Sequence, residues 1–313
     1  MCSSDLSVTG VAGSGTVISG LVDVLSGASF EYATVFNGGD LNVSSGATVD
    51  HISVSSGGIF NVGGTVLSNV AVFAGGVENV LSGGVVTGVT GSGTGISGGT
   101  VNVSSGGALD HATVSGGGVL NVASGATAHN IAVSSGGALN VAGAVTSNVA
   151  VFAGGNEIVS SGGSTGPVTI SGGTVELQTG SVASGGITFS GSGGQLKIDG
   201  TSLAGTTISS LVLGDSIDLA GNAVRFSNFT VAVDDFDFGD FGKLTATSGK
   251  LSIDGDIGVG DKVALLSIDR SGQVWIDGYR DRDMLEIDVA GGRFANKGDM
   301  VGRFDIHVRD RKS

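Results

Sequence analysis

A short motif that returns at nearly constant spacing constrains the fold of this chain more than any other feature. The segment Val54-Ser-Ser-Gly-Gly-Ile-Phe-Asn-Val62 recurs in related form at 114–122 and 133–141. The first glycine of each Gly pair lies at position 38, 57, 75, 98, 117, 136, 154 or 172, so the spacing is 18 or 19 residues, with one interval of 23. A repeat of this length is typical of a solenoid, and the long interval indicates an insertion at about residues 87–95.

The composition of each repeat favours strands over helices. Glycine supplies 60 of the 313 residues, and 40% of the residues are hydrophobic while only 5% are aromatic. A helix would carry a glycine every few residues, at close to 1 kcal/mol for each. A second glycine turn follows about eight residues after the first, so each repeat predicts two short strands between two turns. These second turns lie at Gly46, Gly83, Gly106, Gly125 and Gly162.

Asparagine recurs at one phase of the repeat, three residues after the second glycine of the pair. In a coil of parallel strands, equivalent residues of adjacent turns lie about 4.7 Å apart, so these amides would form a hydrogen-bonded ladder. Antiparallel hairpins give no reason for such a recurrence. We therefore predict an all-β fold in which residues 1–198 form a parallel β-helix, or β-solenoid, with a narrow aliphatic core. The ladder positions are Asn42, Asn61, Asn79, Asn102, Asn121 and Asn140.

Charge and cysteine content exclude several classes of function. The net charge is −14, and residues 1–196 contain nine acidic residues but no lysine or arginine. This balance disfavours nucleic acids and anionic membrane surfaces as partners. The single cysteine, Cys2, excludes an internal disulfide. The sequence predicts neither a membrane-spanning helix nor a signal peptide, and we expect that it begins after an export signal.

The repeat units resemble those of a known protein family. The segments Asn130-Ile-Ala-Val-Ser-Ser-Gly-Gly-Ala-Leu-Asn-Val141 and Ala144-Val-Thr-Ser-Asn-Val-Ala-Val-Phe-Ala-Gly-Gly155 are similar to the repeats of AIDA-type adhesins, the passenger domains of Gram-negative autotransporters. The resemblance covers about residues 30–190. It implies a right-handed parallel β-helix that is displayed at the cell surface after export across the outer membrane. We expect the sequence to be a fragment of such a passenger that lacks the signal peptide and the translocator barrel.

The expected function follows from the same resemblance. It implies cell adhesion, autoaggregation or biofilm interactions without catalysis, and no cofactor. The expected partners are host or matrix glycans, host or matrix proteins, or like chains in self-association, with no nucleic acid and no insertion of this chain into a membrane. Two alternatives stay open: a polysaccharide-acting β-helix enzyme, and a passive stalk that presents a C-terminal module.

The pattern changes at about Lys197, where basic residues begin and the Gly pairs become sparse. We expect residues 199–229 to form degenerate last rungs that cap the open strand edge. Beyond residue 230, apolar and polar residues alternate in several segments, and Asp-Gly turn pairs lie at 254–255 and 277–278. Residues 230–313 are therefore predicted to form a small antiparallel β domain.

Two sequence features invite a chemical interpretation. In Asp50-His51 and Asp110-His111 a histidine follows an aspartate, which invites an enzymatic interpretation. However, the repeat places both histidines at a position that otherwise holds Tyr32 or asparagine. We therefore favour structural stacking and predict no catalytic, cofactor-binding or metal-ligating residue. The acidic run Asp234–Asp240 could bind Ca²⁺ through its carboxylates, although a solvated linker is the favoured interpretation.

Overall fold

The structure is a computed structural model that describes residues 15–199, 208–210, 215–220, 231–232, 243–253, 264–276, 279–290, 293–296 and 300–308. The regular structure in these ranges is β-strand, and they contain no helix that could span a lipid bilayer. The chain divides into two compact units, residues 1–158 with 162–165 and residues 159–161 with 166–313.

The first unit is a parallel β-solenoid with two sheets. Sheet I contains β1, β3, β5, β7, β8, β10, β11, β13, β15, β17, β18 and β20, and sheet II contains β2, β4, β6, β9, β12, β14, β16 and β19. In chain order the strands are β1 (Thr16–Ile18), β2 (Leu21–Val24), β3 (Ser29–Val35), β4 (Asp40–Val43), β5 (Thr48–Val54), β6 (Ile59–Val62), β7 (Thr65–Val66), β8 (Val70–Phe73), β9 (Val77–Val80), β10 (Val85–Val86), β11 (Thr94–Ser97), β12 (Thr100–Val103), β13 (Ala108–Ser115), β14 (Val119–Val122), β15 (Thr127–Val133), β16 (Ala138–Val141), β17 (Ala144–Val145), β18 (Val149–Phe152), β19 (Asn156–Val159) and β20 (Ser164–Thr165).

Each turn of this solenoid places equivalent residues directly above one another. Strand β12 pairs in parallel with β14, and β14 with β16, so that Val101, Leu120 and Leu139 form one inward row. Such rows of Val, Leu, Ile and Phe are almost completely buried, and Phe60 is among the largest side chains in the core. Because the two sheets enclose a narrow interior, small aliphatic side chains fill it, which explains the low aromatic content. The parallel β-solenoid predicted from the repeat is confirmed.

The glycine turns behave as the sequence predicts. The first glycine of every pair from Gly38 to Gly172 has a positive φ, as do the second-turn glycines. At the next residue, Gly39, a Cβ would lie 2.1 Å from the carbonyl oxygen of Ile18. The pair therefore combines two requirements, a left-handed backbone at its first position and close packing of adjacent turns at its second.

The second unit also contains parallel strands in two sheets. In the first sheet β21 pairs with β24, β24 with β26 and β26 with β28. In the second, β22 pairs with β25, β25 with β27 and β27 with β29. The strands are β21 (Val168–Ser171), β22 (Thr174–Leu177), β23 (Val182–Ala183), β24 (Ile187–Phe189), β25 (Gln195–Asp199), β26 (Ile208–Ser209), β27 (Ser216–Ala220), β28 (Val231–Ala232), β29 (Lys243–Ile253), β30 (Ala264–Ile276), β31 (Tyr279–Ala290), β32 (Arg293–Asn296) and β33 (Met300–Val308).

The described strands beyond residue 242 pair in parallel, so the antiparallel pairing predicted for residues 230–313 is wrong for these strands. Strand β29 pairs in parallel with β30, β30 with β31 and β32, and β31 with β33. Leu285 pairs with Phe304, 19 residues later, so the spacing of the solenoid returns where its Gly pairs are sparse. The alternation of residues indicates strands in this region, but it is the same for both directions of pairing. The predicted domain boundaries at 198 and 229 stay predictions.

Candidate functional site

The asparagine ladder runs along the outer face of sheet II in the first unit. Each amide nitrogen donates to the side-chain oxygen of the preceding turn, as from Asn121 Nδ2 to Asn102 Oδ1 at 2.9 Å and from Asn140 Nδ2 to Asn121 Oδ1 at 2.8 Å. At the first turn, Asn42 Nδ2 donates to Asp23 Oδ1 at 2.9 Å. Every bond runs in the same direction, so the ladder satisfies half-buried amides along the whole face. The predicted ladder is confirmed; its remaining bonds join Asn61 to Asn42, Asn79 to Asn61 and Asn102 to Asn79.

A second column of side chains lies along sheet I, at residues with left-handed backbone conformation. We call it the left-handed column, and it comprises Tyr32, His51, Asn69, His111 and Asn130, with φ between 52° and 57°. At His51 the alternation of inward and outward residues is interrupted, so Asp50 and His51 both face outward between the buried Val49 and Ile52. Asparagine and histidine tolerate this conformation better than β-branched residues do, which explains the restricted choice at this position. The recurrence is visible in the sequence, whereas its backbone cause is visible only in the φ angles.

His51 contacts the equivalent residues of both neighbouring turns. The rings of His51 and Tyr32 stack with their centroids 4.5 Å apart, and His51 Nε2 lies 3.1 Å from Asn69 Nδ2. Asp50 Oδ2 lies 3.0 Å from His51 Nδ1, and Asp50 Oδ1 accepts a hydrogen bond from Ser68 Oγ at 2.7 Å. The Asp50-His51 pair therefore belongs to a stacked column, as the repeat predicted.

A second Asp-His contact occurs at His111, with a different partner for the aspartate. His111 Nδ1 lies 2.9 Å from Asp110 Oδ1, and that oxygen also accepts a hydrogen bond from Asn130 Nδ2 at 3.0 Å. Asp110 thus connects two members of the left-handed column. The side chain of His111 stays 25% exposed, so its ring is accessible at the surface.

On the outer face of sheet I, next to the left-handed column, the first unit has a row of small residues whose side chains point outward. Strand pairing joins Thr34 to Ser53 and Thr113 to Ala132 and shows that the row is continuous. None of its members is larger than threonine, so the surface is recessed along this row, beside the left-handed column. The row, which we call the floor, consists of Thr34, Ser53, Ala71, Gly95, Thr113, Ala132 and Ala150.

Two recesses lie on this floor. The smaller has a volume of about 250 Å³ and is lined by Tyr32, His51 and Asn69 together with floor residues. The larger has a volume of about 410 Å³, and we call it the groove. One wall consists of the left-handed column at His111 and Asn130 together with Asn148, and the other is a loop at residues 89–93. The floor of the groove includes Gly95, Thr113, Ala132 and Ala150.

The wall formed by residues 89–93 is the insertion that lengthens one repeat. The amide of Ser92 donates to the carbonyl of Val89, and Gly91 has a φ of 88°, as a tight turn with glycine at its third position requires. A Cβ at Gly93 would lie 1.9 Å from the carbonyl oxygen of His111, so the loop packs directly on that residue. Asn102 still donates to Asn79 across the insertion, which means that the extra residues leave the register of the turns intact.

Two glutamates lie in the core of the first unit, a feature that the sequence analysis missed. Glu78 is fully buried and pairs in register with Phe60 on one side and Val101 on the other. Neither of its carboxyl oxygens has a hydrogen-bond partner among the described residues. Burial raises the pKa of Glu78 to about 8. The available signal was a glutamate at a repeat position that is otherwise apolar.

Glu157 is the copy of Glu78 in the repeated block, 79 residues later. It is also fully buried, but its Oε1 accepts a hydrogen bond of 2.8 Å from Thr165 Oγ1. Burial raises the pKa of Glu157 to about 7, and the hydrogen bond from Thr165 acts in the opposite direction. The equivalent of Thr165 near Glu78 is Val86, which cannot donate.

No cluster of three or more His, Cys, Asp or Glu side chains that could hold a metal ion is found in the part of the chain that the structure describes. The acidic run Asp234–Asp240, for which Ca²⁺ binding was considered, lies outside the described residues. The expectation of no catalytic, cofactor or metal residue stays a prediction.

The left-handed backbone at His51 leads to the first prediction. His51→Asn should change the stability of the protein by less than about 0.5 kcal/mol, because asparagine already occupies this position at Asn69 and Asn130. His51→Val should destabilise it by about 1–3 kcal/mol, because a β-branched residue is strained at positive φ. Urea unfolding of both variants tests this, and equal stabilities would contradict it.

Comparison with solved structures identifies a protein with the same fold. It is a TibC-catalysed hyper-glycosylated fragment of TibA, residues 55–350 of that protein. The two chains are 24% identical, the alignment covers 91% of this chain and 98% of the other, and the TM-score is 0.60. At this level of identity the likeness establishes the fold. Neither a protein-family model nor a curated protein matches the chain.

Proposed function

We propose that this chain is an exported surface protein of the adhesin type, which binds extended partners along its solenoid and acts without catalysis. The observation that carries the proposal is the floor of sheet I with its adjoining left-handed column. These rows offer a continuous surface over several turns whose side chains are small or polar. Such a surface suits contact with a long partner, whereas an enzyme needs a few groups placed around one reacting centre.

Further support comes from charge and from the fold. Residues 15–196 include no lysine or arginine, so the face of the first unit offers hydroxyl, amide and imidazole groups in place of ionic contacts with an anion. The resemblance of the repeats to AIDA-type passengers, and the fold shared with the TibA fragment, agree with a protein displayed outside the cell. Catalysis and the role of a passive stalk remain the alternatives.

Surface display provides the test. The chain should be fused to an unrelated outer-membrane anchor and displayed on a bacterium that neither aggregates nor adheres. We expect faster settling of the culture, or stronger adherence to cultured cells or matrix, than with the anchor alone. A displayed chain that changes neither would contradict the proposal. Turnover of polysaccharides by the purified chain would support the enzyme alternative. Adhesion that persists after deletion of residues 48–143, which joins equivalent positions of two turns, would support the stalk.

A further inference from the structure

We propose that the groove between the insertion loop and the left-handed column binds a segment of a neutral polysaccharide. This proposal deepens the function proposed above and rests on it, since it assigns the ligand class and the site. The groove has a volume of about 410 Å³, which falls in the range of small-molecule binding sites. It is open to solvent along the solenoid, so it suits one stretch of a longer polymer.

The polar groups that line the groove are uncharged amides, hydroxyls and one imidazole. Asn130 and Asn148 each contribute an amide, and Thr90 and Thr113 each contribute a hydroxyl. An amide or hydroxyl group both donates and accepts hydrogen bonds, as the hydroxyl groups of a sugar do. A neutral polyol is therefore matched by the lining, whereas an anionic ligand would find no ammonium or guanidinium group in it.

His111 connects the polar wall to the rest of the solenoid. Asp110 Oδ1 lies 2.9 Å from His111 Nδ1 and accepts a hydrogen bond from Asn130 Nδ2. Because Asp110 accepts this hydrogen bond, the amide of Asn130 is oriented before a ligand arrives. Such orientation lowers the entropic cost of binding.

The opposite wall supplies apolar contact. Val89, in the insertion loop, exposes 64% of its surface and lines the groove together with floor residues Ala132 and Ala150. Sugar rings have apolar C–H faces beside their hydroxyl groups, so apolar walls flanked by hydrogen-bonding groups are complementary to them. The insertion is tightly packed on His111 and leaves the ladder register unchanged, and its effect is to deepen this one part of the floor.

The test uses a substitution that fills the groove and leaves the core residues unchanged. Ala132→Tyr places a ring on the floor, and Ala138→Tyr is the matched control because Ala138 also lies on an outward row, on sheet II and away from the groove. The probes are immobilised dextran, mannan and galactan as neutral polymers, with heparin and polygalacturonate as anionic ones. We expect the full chain to bind at least one neutral polymer and neither anionic one. Ala132→Tyr should weaken binding at least about tenfold, and Ala138→Tyr should leave it unchanged.

A second variant tests the polar wall. His111→Asn keeps a residue that tolerates the left-handed backbone, so it should fold normally and weaken binding several-fold. The proposal is overturned if no neutral polymer binds, if only the anionic polymers bind, or if Ala132→Tyr binds as well as the unmodified chain. Display of Ala132→Tyr on cells separates this failure from that of the broader function. Adhesion that persists in that variant would overturn the groove and leave the surface function standing.

Discussion

Glu78→Leu should stabilise the protein strongly at alkaline pH and much less at acidic pH. Burial raises the pKa of Glu78 to about 8 from an ordinary value of 4.5, so the folded protein binds this proton more tightly than the unfolded chain. The stability that depends on the proton is complete below the ordinary pKa and decreases as the pH rises toward 8. Above pH 8 the loss reaches about 5 kcal/mol, which Glu78→Leu should recover.

The same variant should gain a smaller amount at pH 4, where the carboxyl group is neutral in both states. Its two oxygens still lack hydrogen-bond partners among the described residues, and leucine removes this cost, which amounts to about 1–3 kcal/mol. Leucine is already present at the equivalent position in Leu41, Leu120 and Leu139, so it should fit the core. Urea unfolding of the unmodified chain and the variant at pH 4 and pH 9 provides the comparison. A gain that is the same at both pH values would contradict the assignment.

The repeated block offers a matched control for this prediction. Val86→Thr introduces a hydroxyl group at the position equivalent to Thr165, which donates to Glu157. It should therefore stabilise the protein only while Glu78 is present, and should destabilise a Glu78→Leu background by burying an unpartnered hydroxyl group. A double-mutant cycle measures this coupling directly.

Much of the first unit could be predicted because its signals repeat. The Gly pairs, the period and the ladder from Asn42 to Asn140 each recur at one phase, and a parallel solenoid is the arrangement that explains all three together. Because each copy repeats the same signals, the spacing alone predicts where the strands lie and which strands are neighbours.

Features that break the repeat were harder to predict. The carboxyl group of Glu78 lies in the core because its position in the turn faces inward, although the charged residue by itself favours the surface. The left-handed column was visible as a restricted set of residues, but only the φ angles show why histidine, tyrosine and asparagine share the position. The groove depends on how the insertion folds against His111, and spacing does not determine the path of a loop.

The C-terminal strands show a different limit. Alternation of apolar and polar residues locates a strand, yet it carries no information about the direction of the strand beside it. The Asp-Gly pairs favoured tight hairpins and hence antiparallel neighbours. The parallel pairing of Leu244 with Leu266 and of Leu285 with Phe304 shows that spacings of about 20 residues were the better guide.

Asn121→Asp should destabilise the solenoid by about 2–3 kcal/mol at pH 7, because every side chain within the ladder has to donate a hydrogen bond to the preceding turn. Asn121 donates to Asn102 and accepts from Asn140, and a carboxylate can only accept. The substitution would place an anionic oxygen against the amide oxygen of Asn102. One hydrogen bond would be lost, and a repulsive contact between two oxygens would replace it. Urea unfolding at pH 7 measures the loss. At pH 3 the introduced carboxyl group is protonated and can donate again, so much of the loss should disappear.

The first turn shows why the effect of exchanging an amide and a carboxylate on stability depends on the position along the ladder. Asp23 accepts from Asn42, and no further donation from its side chain is needed to continue the ladder. Asp23→Asn keeps an oxygen that can accept the same bond, so it should change stability by less than about 0.5 kcal/mol. If Asn121→Asp were as mild as Asp23→Asn at pH 7, the amides would not act as a directional ladder. Stability would then rest on the aliphatic core and the backbone pairing of adjacent turns, because the side-chain ladder would add nothing measurable to them.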